Sequence, residues 1–122
     1  MAGLAHILAD WRVDLSGTDA AASAMTRSLE LRGIPVQIGH DGAAVAGADL
    51  LVYSNAVPPH NPERLAAARQ GIESCLRGEF LARVAGFFEA VVSVGGSHGK
   101  TTTSAMIAHI LCTAGRDPGF LI

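Results

Sequence analysis

Eight consecutive residues, Gly95-Gly96-Ser97-His98-Gly99-Lys100-Thr101-Thr102, carry the densest chemistry in the sequence. They follow the apolar run Ala90-Val91-Val92-Ser93-Val94 and precede a long helical stretch, the setting that a phosphate-binding loop requires. Glycines let backbone N–H groups turn toward an anion, and a helix start adds partial positive charge. A lysine neutralises phosphate oxygens, and a following hydroxyl can ligate Mg²⁺. The arrangement suits a nucleoside triphosphate. One position departs from the common pattern, which places a glycine six residues before the lysine, where this chain has Val94. Lys100 is the only lysine, and every other basic side chain is arginine. A compact ammonium at a phosphate is poorly replaced by guanidinium, so this usage speaks against a glycine-rich turn with an incidental lysine.

A second group lies at expected strand ends. Ser16-Gly17-Thr18-Asp19 closes a strand, and Asp19 follows Gly3 by about 16 residues, as an acid on ribose hydroxyls follows the last glycine of a dinucleotide fingerprint. The other reading of Asp19 is a plain cap for the next helix. His40, in Gly39-His40-Asp41-Gly42, reads equally as a turn residue. Ser54-Asn55-Ala56 and the prolines after it form a loop at a strand's carboxyl end, where open α/β sheets bind ligands, and are also ordinary loop residues. His6, His60 and His109 have no ligand spacing and suggest no metal site.

Elements that would position these groups alternate along the chain as βαβ units do. A helix over residues 3–9 has nothing before it, which implies a parallel sheet lacking its first strand. Strands are expected at Arg12–Leu15, Ile34–Ile38, Asp49–Ser54, Ile72–Leu76, Glu89–Val94 and, at the chain's end, Gly119–Ile122. Helices are expected at Ala21–Arg32, with Ala21, Ala22, Met25 and Leu29 on its apolar side, and from Asn61-Pro62-Glu63 to Gly71. A short helical stretch is expected between these two at Ala43–Ala46, another helix at Glu79–Val84, and a long one opens in Gly95–Thr103 and runs through Ala114. The fold class is α/β, Rossmann-like, followed by the start of a phosphate-loop ATPase domain.

Composition bounds the alternatives. Of 122 residues, 49% are apolar and 16% charged, too apolar for a disordered chain, and a net charge of −2 offers no electrostatic basis for nucleic acid binding. Aromatics at 5% leave few stacking platforms. Cys75 and Cys112 sit in apolar runs and read as small buried hydrophobes of a reducing compartment. No apolar run nears the ~18 residues of a membrane span and no signal peptide opens the chain, so a cytoplasmic location is expected.

The order of motifs closely resembles the Mur ligases. The resemblance rests on Ser16-Gly17-Thr18-Asp19, Gly39-His40-Asp41, Ser54-Asn55-Ala56-Val57-Pro58 with Asn61-Pro62-Glu63, Arg77-Gly78-Glu79-Phe80-Leu81, Gly96-Ser97-His98-Gly99-Lys100-Thr101-Thr102-Thr103, and Asp117-Pro118-Gly119-Phe120. It accounts for Val94, because this family's loop begins four residues before its lysine, here at Gly96. It implies residues 1–85 as most of a UDP-binding domain and 86–122 as the opening of an ATP-binding domain, an incomplete and inactive piece of the family's enzyme. The implied activity is peptidoglycan precursor synthesis by ATP-dependent ligation, through an acyl phosphate, of L-alanine to UDP-N-acetylmuramate. ATP and Mg²⁺ are the implied cofactors. By motif, Gly96, Ser97, His98, Gly99, Lys100, Thr101 and Thr102 would contact ATP phosphates, Lys100 would stabilise the transfer, and Thr101 would ligate Mg²⁺. Gly3, Ser16, Asp19, His40, Ser54, Asn55 and Ala56 would lie near the UDP part. A tripeptide-adding recycling ligase of the same family is the nearest alternative, against which Gly39-His40-Asp41 and the proline after Ala56 count. A non-catalytic nucleotide-binding module is the alternative from another class.

Overall fold

The computed structural model describes residues 1–121, and the chain divides into two compact units, Met1–Phe87 and Phe88 onward. The first unit runs α1 (Ala2–Asp10), β1 (Gly17–Asp19), α2 (Ala24–Leu31), β2 (Val36–Ile38), a 3₁₀ turn (Gly42–Val45), β3 (Leu50–Tyr53), α3 (Pro62–Gln70), β4 (Glu73–Leu76) and α4 (Arg77–Ala85). The strands pair in parallel. Gly17 lies opposite Val36 and Asp19 opposite Ile38, while Leu50 lies opposite Glu73 and Tyr53 opposite Leu76. A helix links the strands of each pair, as parallel neighbours require.

The expected α/β fold with parallel strands is present, but the strands form two separate two-stranded sheets. An apolar groove of about 450 Å³ accompanies this division, lined by Leu8, Trp11, Val13, Leu50, Phe80 and Val84 among others. Leu4, Leu8 and Val84 form a small core with Leu15, Phe80 and Leu81 packed on it. Among the described residues no large side chain is fully buried, so this core is thin.

Local signals explain most boundaries. Asn61 accepts the Glu63 N–H at 2.9 Å, Pro62 opens α3, and Gly71 closes it at φ +69°, as expected. At α2 the Ser23 hydroxyl accepts the Thr26 N–H at 3.2 Å while Thr26 Oγ1 accepts the Ser23 N–H at 2.9 Å. This reciprocal cap starts the helix at Ala24, so Ala21 and Ala22 fall outside it. Thr26 is then the buried residue and Met25 is exposed. The strand expected at Arg12–Leu15 is displaced to Gly17–Asp19. Arg12 adopts φ +59° and Val13 N–H returns to the Leu8 carbonyl, so pairing begins only where Gly17 N–H reaches the Pro35 carbonyl at 3.0 Å.

In the second unit α5 (Lys100–Thr113) is the only helix or strand among the described residues. Glu89–Val94 forms no strand, because a strand needs a neighbour's backbone groups and no other strand occurs among the described residues of the unit; Val91 and Val92 stay exposed. Gly119–Leu121 also forms no strand, and Ile122 lies outside the described residues. Cys75 is buried as expected, but Cys112 is exposed on α5. No helix among the described residues is long and apolar enough to cross a membrane.

Candidate functional site

The glycine-rich segment leads into α5 through two backbone positions that favour glycine, Gly96 at φ +144° and Gly99 at φ +75°. Gly99 is the N-cap residue and contributes no side-chain cap, so the first N–H groups of α5 receive no side-chain acceptor. Lys100 folds back over the turn, its Nζ donating to the Gly96 carbonyl at 2.6 Å and toward the Ser97 carbonyl at 3.5 Å. Ser97, His98, Thr101 and Thr102 are all exposed around this turn. Uncapped N–H groups, a helix start and a lysine therefore converge on one exposed turn, which is the donor set a phosphate needs. An Mg²⁺ held there would take the Thr101 hydroxyl together with phosphate oxygens. No cluster of three or more His, Cys, Asp or Glu side chains suited to a metal occurs among the described residues.

The second group gathers in the first unit at the carboxyl ends of β1, β2 and β3. Gly39 N–H donates to the Asp19 carbonyl at 2.8 Å, which extends the β1–β2 pairing and sets His40 beside Thr18. The 3₁₀ turn then lies close on α3. A Cβ at Gly42 would sit 3.1 Å from the Ala66 Cβ and 3.3 Å from the Pro62 carbonyl oxygen, so glycine permits this approach. It brings His40 Nδ1 within 2.9 Å of Glu63 Oε1 and 3.3 Å of Thr18 Oγ1, and Thr18 donates to Glu63 Oε2 at 3.0 Å.

Other expected site residues are placed as follows. Asp19 is exposed, and its Oδ1 accepts the Ala21 N–H at 3.3 Å, the contact of a turn acid. Ser54 begins a turn closed by Val57 N–H, with Asn55 and Ala56 exposed on it. Arg64 pins that turn by donating to the Val57 carbonyl at 3.0 Å and lying 4.1 Å over the Tyr53 ring. Gly3 lies within α1 and Ser16 is exposed just before β1; neither is hydrogen-bonded to the His40 cluster.

Glu63 and Thr18 were absent from the residues expected to serve the site. Glu63 reads from sequence as an ordinary first-turn acid, and only its burial, with its side chain 10% exposed, marks it as more. Buried acids are rare unless paired, and this one is paired with His40.

A family model described as "Mur ligase family, catalytic domain" matches residues 1–89, which end before the glycine-rich turn. The UDP-N-acetylmuramate–L-alanine ligase of Burkholderia ambifaria is 40% identical over all of this chain, which covers 26% of that protein. A solved UDP-N-acetylmuramate:L-alanyl-gamma-D-glutamyl-meso-diaminopimelate ligase from Neisseria meningitides superposes with a TM-score of 0.91 at 35% identity, covering 100% of this chain and 39% of its own. The UDP-N-acetylmuramate-alanine ligase of Thermotoga maritima gives a TM-score of 0.85 at 26% identity, covering 93% of this chain and 27% of its own. The chain thus spans about a quarter of the length of the curated relative it matches.

Proposed function

This chain belongs to the Mur ligase family, and we propose that it forms the UDP-binding part and the opening of the ATP-binding part of an enzyme that joins L-alanine to UDP-N-acetylmuramate. The observation that carries the reading is the exposed turn at Gly96–Thr102, where Lys100 and the uncapped start of α5 converge. Similarity over 100% of this chain to one L-alanine ligase, and over 93% of it to another, supports the choice of amino acid.

In this reading the γ-phosphoryl group of ATP passes to the carboxylate of UDP-N-acetylmuramate and ADP leaves. The amine of L-alanine then attacks the acyl phosphate, the amide forms, and inorganic phosphate departs. Lys100 would neutralise charge on the transferring phosphoryl oxygens, and Thr101 would orient Mg²⁺. Asp19, His40 and the turn at Ser54–Ala56 would face the UDP part at the strand ends. The reaction draws on soluble substrates, and a cytoplasmic setting suits them.

A second reading, a tripeptide-adding ligase, is favoured by the Neisseria structure and its TM-score of 0.91. Either enzyme would use the same phosphoryl chemistry. Substrate labelled with ¹⁸O in its carboxylate tests that chemistry in the whole protein: an acyl phosphate route transfers one labelled oxygen to the released phosphate. Unlabelled phosphate would exclude it.

A further inference from the structure

The buried carboxylate of Glu63 touches His40 on one side of the imidazole only, and that contact dictates how the ring can be used. An ionised carboxylate only accepts hydrogen bonds. Thr18 spends its single hydroxyl proton on Glu63 Oε2 at 3.0 Å, so the 2.9 Å contact between Glu63 Oε1 and His40 Nδ1 requires the proton to sit on Nδ1. The other ring nitrogen, Nε2, makes no hydrogen bond among the described residues, while the His40 side chain is 31% exposed at the carboxyl end of β2. Which nitrogen of a histidine faces outward is set by the bond the other one makes.

We infer that Glu63 is a positioning residue: with Thr18 it locks Nδ1–H of His40 inward and presents Nε2 to the nucleoside diphosphate part of the substrate. The inference rests on the reading of these strand ends as the place of the UDP part. The construction is specific. Asn61 and Pro62 start α3 so that Glu63 falls in its first turn, and Gly42 lets the turn after β2 come down on that helix. The Gly39–Asp19 bond aligns His40 with Thr18. Side chains from β1 and α3 therefore converge on one imidazole at the turn after β2. Simple stabilisation of the helix start does not need them, since Asn61 already caps it.

The test uses the ¹⁵N-labelled chain and UDP as probe. Long-range ¹H–¹⁵N spectra at about pH 8 report which ring nitrogen is protonated, with His40→Ala assigning the signal. In the parent protein His40 carries its proton on Nδ1. Glu63→Ala releases the ring from that state, and Glu63→Gln, whose amide oxygen still accepts, retains it. UDP affinity falls about tenfold in His40→Ala, by nearly as much in Glu63→Ala, and less than about threefold in Glu63→Gln, the scale of one hydrogen bond. Should Glu63→Ala not fold, Thr18→Val replaces it, with an expected loss of about threefold. If UDP binds and Glu63→Ala changes neither the affinity nor the His40 signal, the positioning role is overturned while the site reading stands. If UDP does not bind the parent chain, the site reading falls, and the ring spectrum alone decides whether Glu63 orients His40.

Discussion

Lys100 Nζ donates to the Gly96 carbonyl at 2.6 Å, so the single lysine of the chain is drawn back over the turn that opens α5. A phosphate arriving there would exchange one neutral acceptor for charged oxygens, to which hydrogen bonds are roughly twice as strong. Lys100→Ala should weaken Mg-ATP binding by about 10- to 100-fold, the ~1.5–3 kcal/mol of a charged hydrogen bond. Lys100→Arg should not restore it, because the fork of a guanidinium does not replace a point charge at this distance. Calorimetric titration of the three proteins checks this, and equal affinities would remove Lys100 from the role.

The start of α3 holds the strand-end cluster, so its cap should matter twice. Asn61 is 5% exposed and satisfies the Glu63 N–H. Asn61→Ala should lower stability by about 1 kcal/mol in urea denaturation. The same variant should disturb the His40 ring signal, since Glu63 is the next residue but one.

How far these features could be read from sequence depended on whether the signal was local. The limits of α3 were legible, because Asn61, Pro62 and Gly71 are all decided within the helix itself. The glycine turn into α5 was legible in its spacing, and Gly96 and Gly99 both adopt positive φ there. Strand limits were not. Arg12–Leu15 and Glu89–Val94 have apolar strand-like composition, yet pairing depends on a partner: β1 waits for Pro35 and Val36, and Glu89–Val94 has no partner strand among the described residues of its unit. Cys112 looked buried for the same reason, since an apolar run does not say whether anything packs on it. Glu63 was hidden because its partners, Thr18 and His40, lie 45 and 23 residues away.

The divided sheet and its groove predict surface behaviour. Phe87 is 79% exposed beside Trp11, and the groove lining is apolar. Patches of this kind promote association. The 122-residue chain should bind a hydrophobic dye and grow in hydrodynamic radius with concentration, and Phe87→Ser should reduce both. Leu8→Ala, which adds to the groove, should cost about 2–3 kcal/mol, toward the low end for buried leucines because the site is already open. Absence of dye binding would show that the apolar lining is inaccessible.

The two cysteines should separate by reactivity. Burial pushes the Cys75 thiol above its ordinary pKa, with Glu79 and Glu73 adding to the rise and Arg83 opposing it. A raised folded value means the native state holds the proton more tightly than the unfolded chain. The associated stability is therefore full at neutral pH and is lost as pH rises toward and through the raised value. A thiol reagent at neutral pH should modify Cys112 quickly and Cys75 slowly, in two resolved phases. A single fast phase would contradict the burial of Cys75.

Amine-dependent phosphate release from the whole protein shows whether it is an L-alanine ligase that works through Lys100. Phosphate is followed with UDP-N-acetylmuramate and Mg-ATP, adding either L-alanine or the tripeptide, in the parent protein and in Lys100→Ala. Release should depend on L-alanine, be little stimulated by tripeptide, and fall by at least about 100-fold in Lys100→Ala, a loss of ~3 kcal/mol in the transfer step. Preference for the tripeptide would move the protein to the recycling activity. Release that requires no amine would contradict the ligase reading itself, and L-alanine-dependent release that survives the loss of Lys100 would remove that residue from the transfer step.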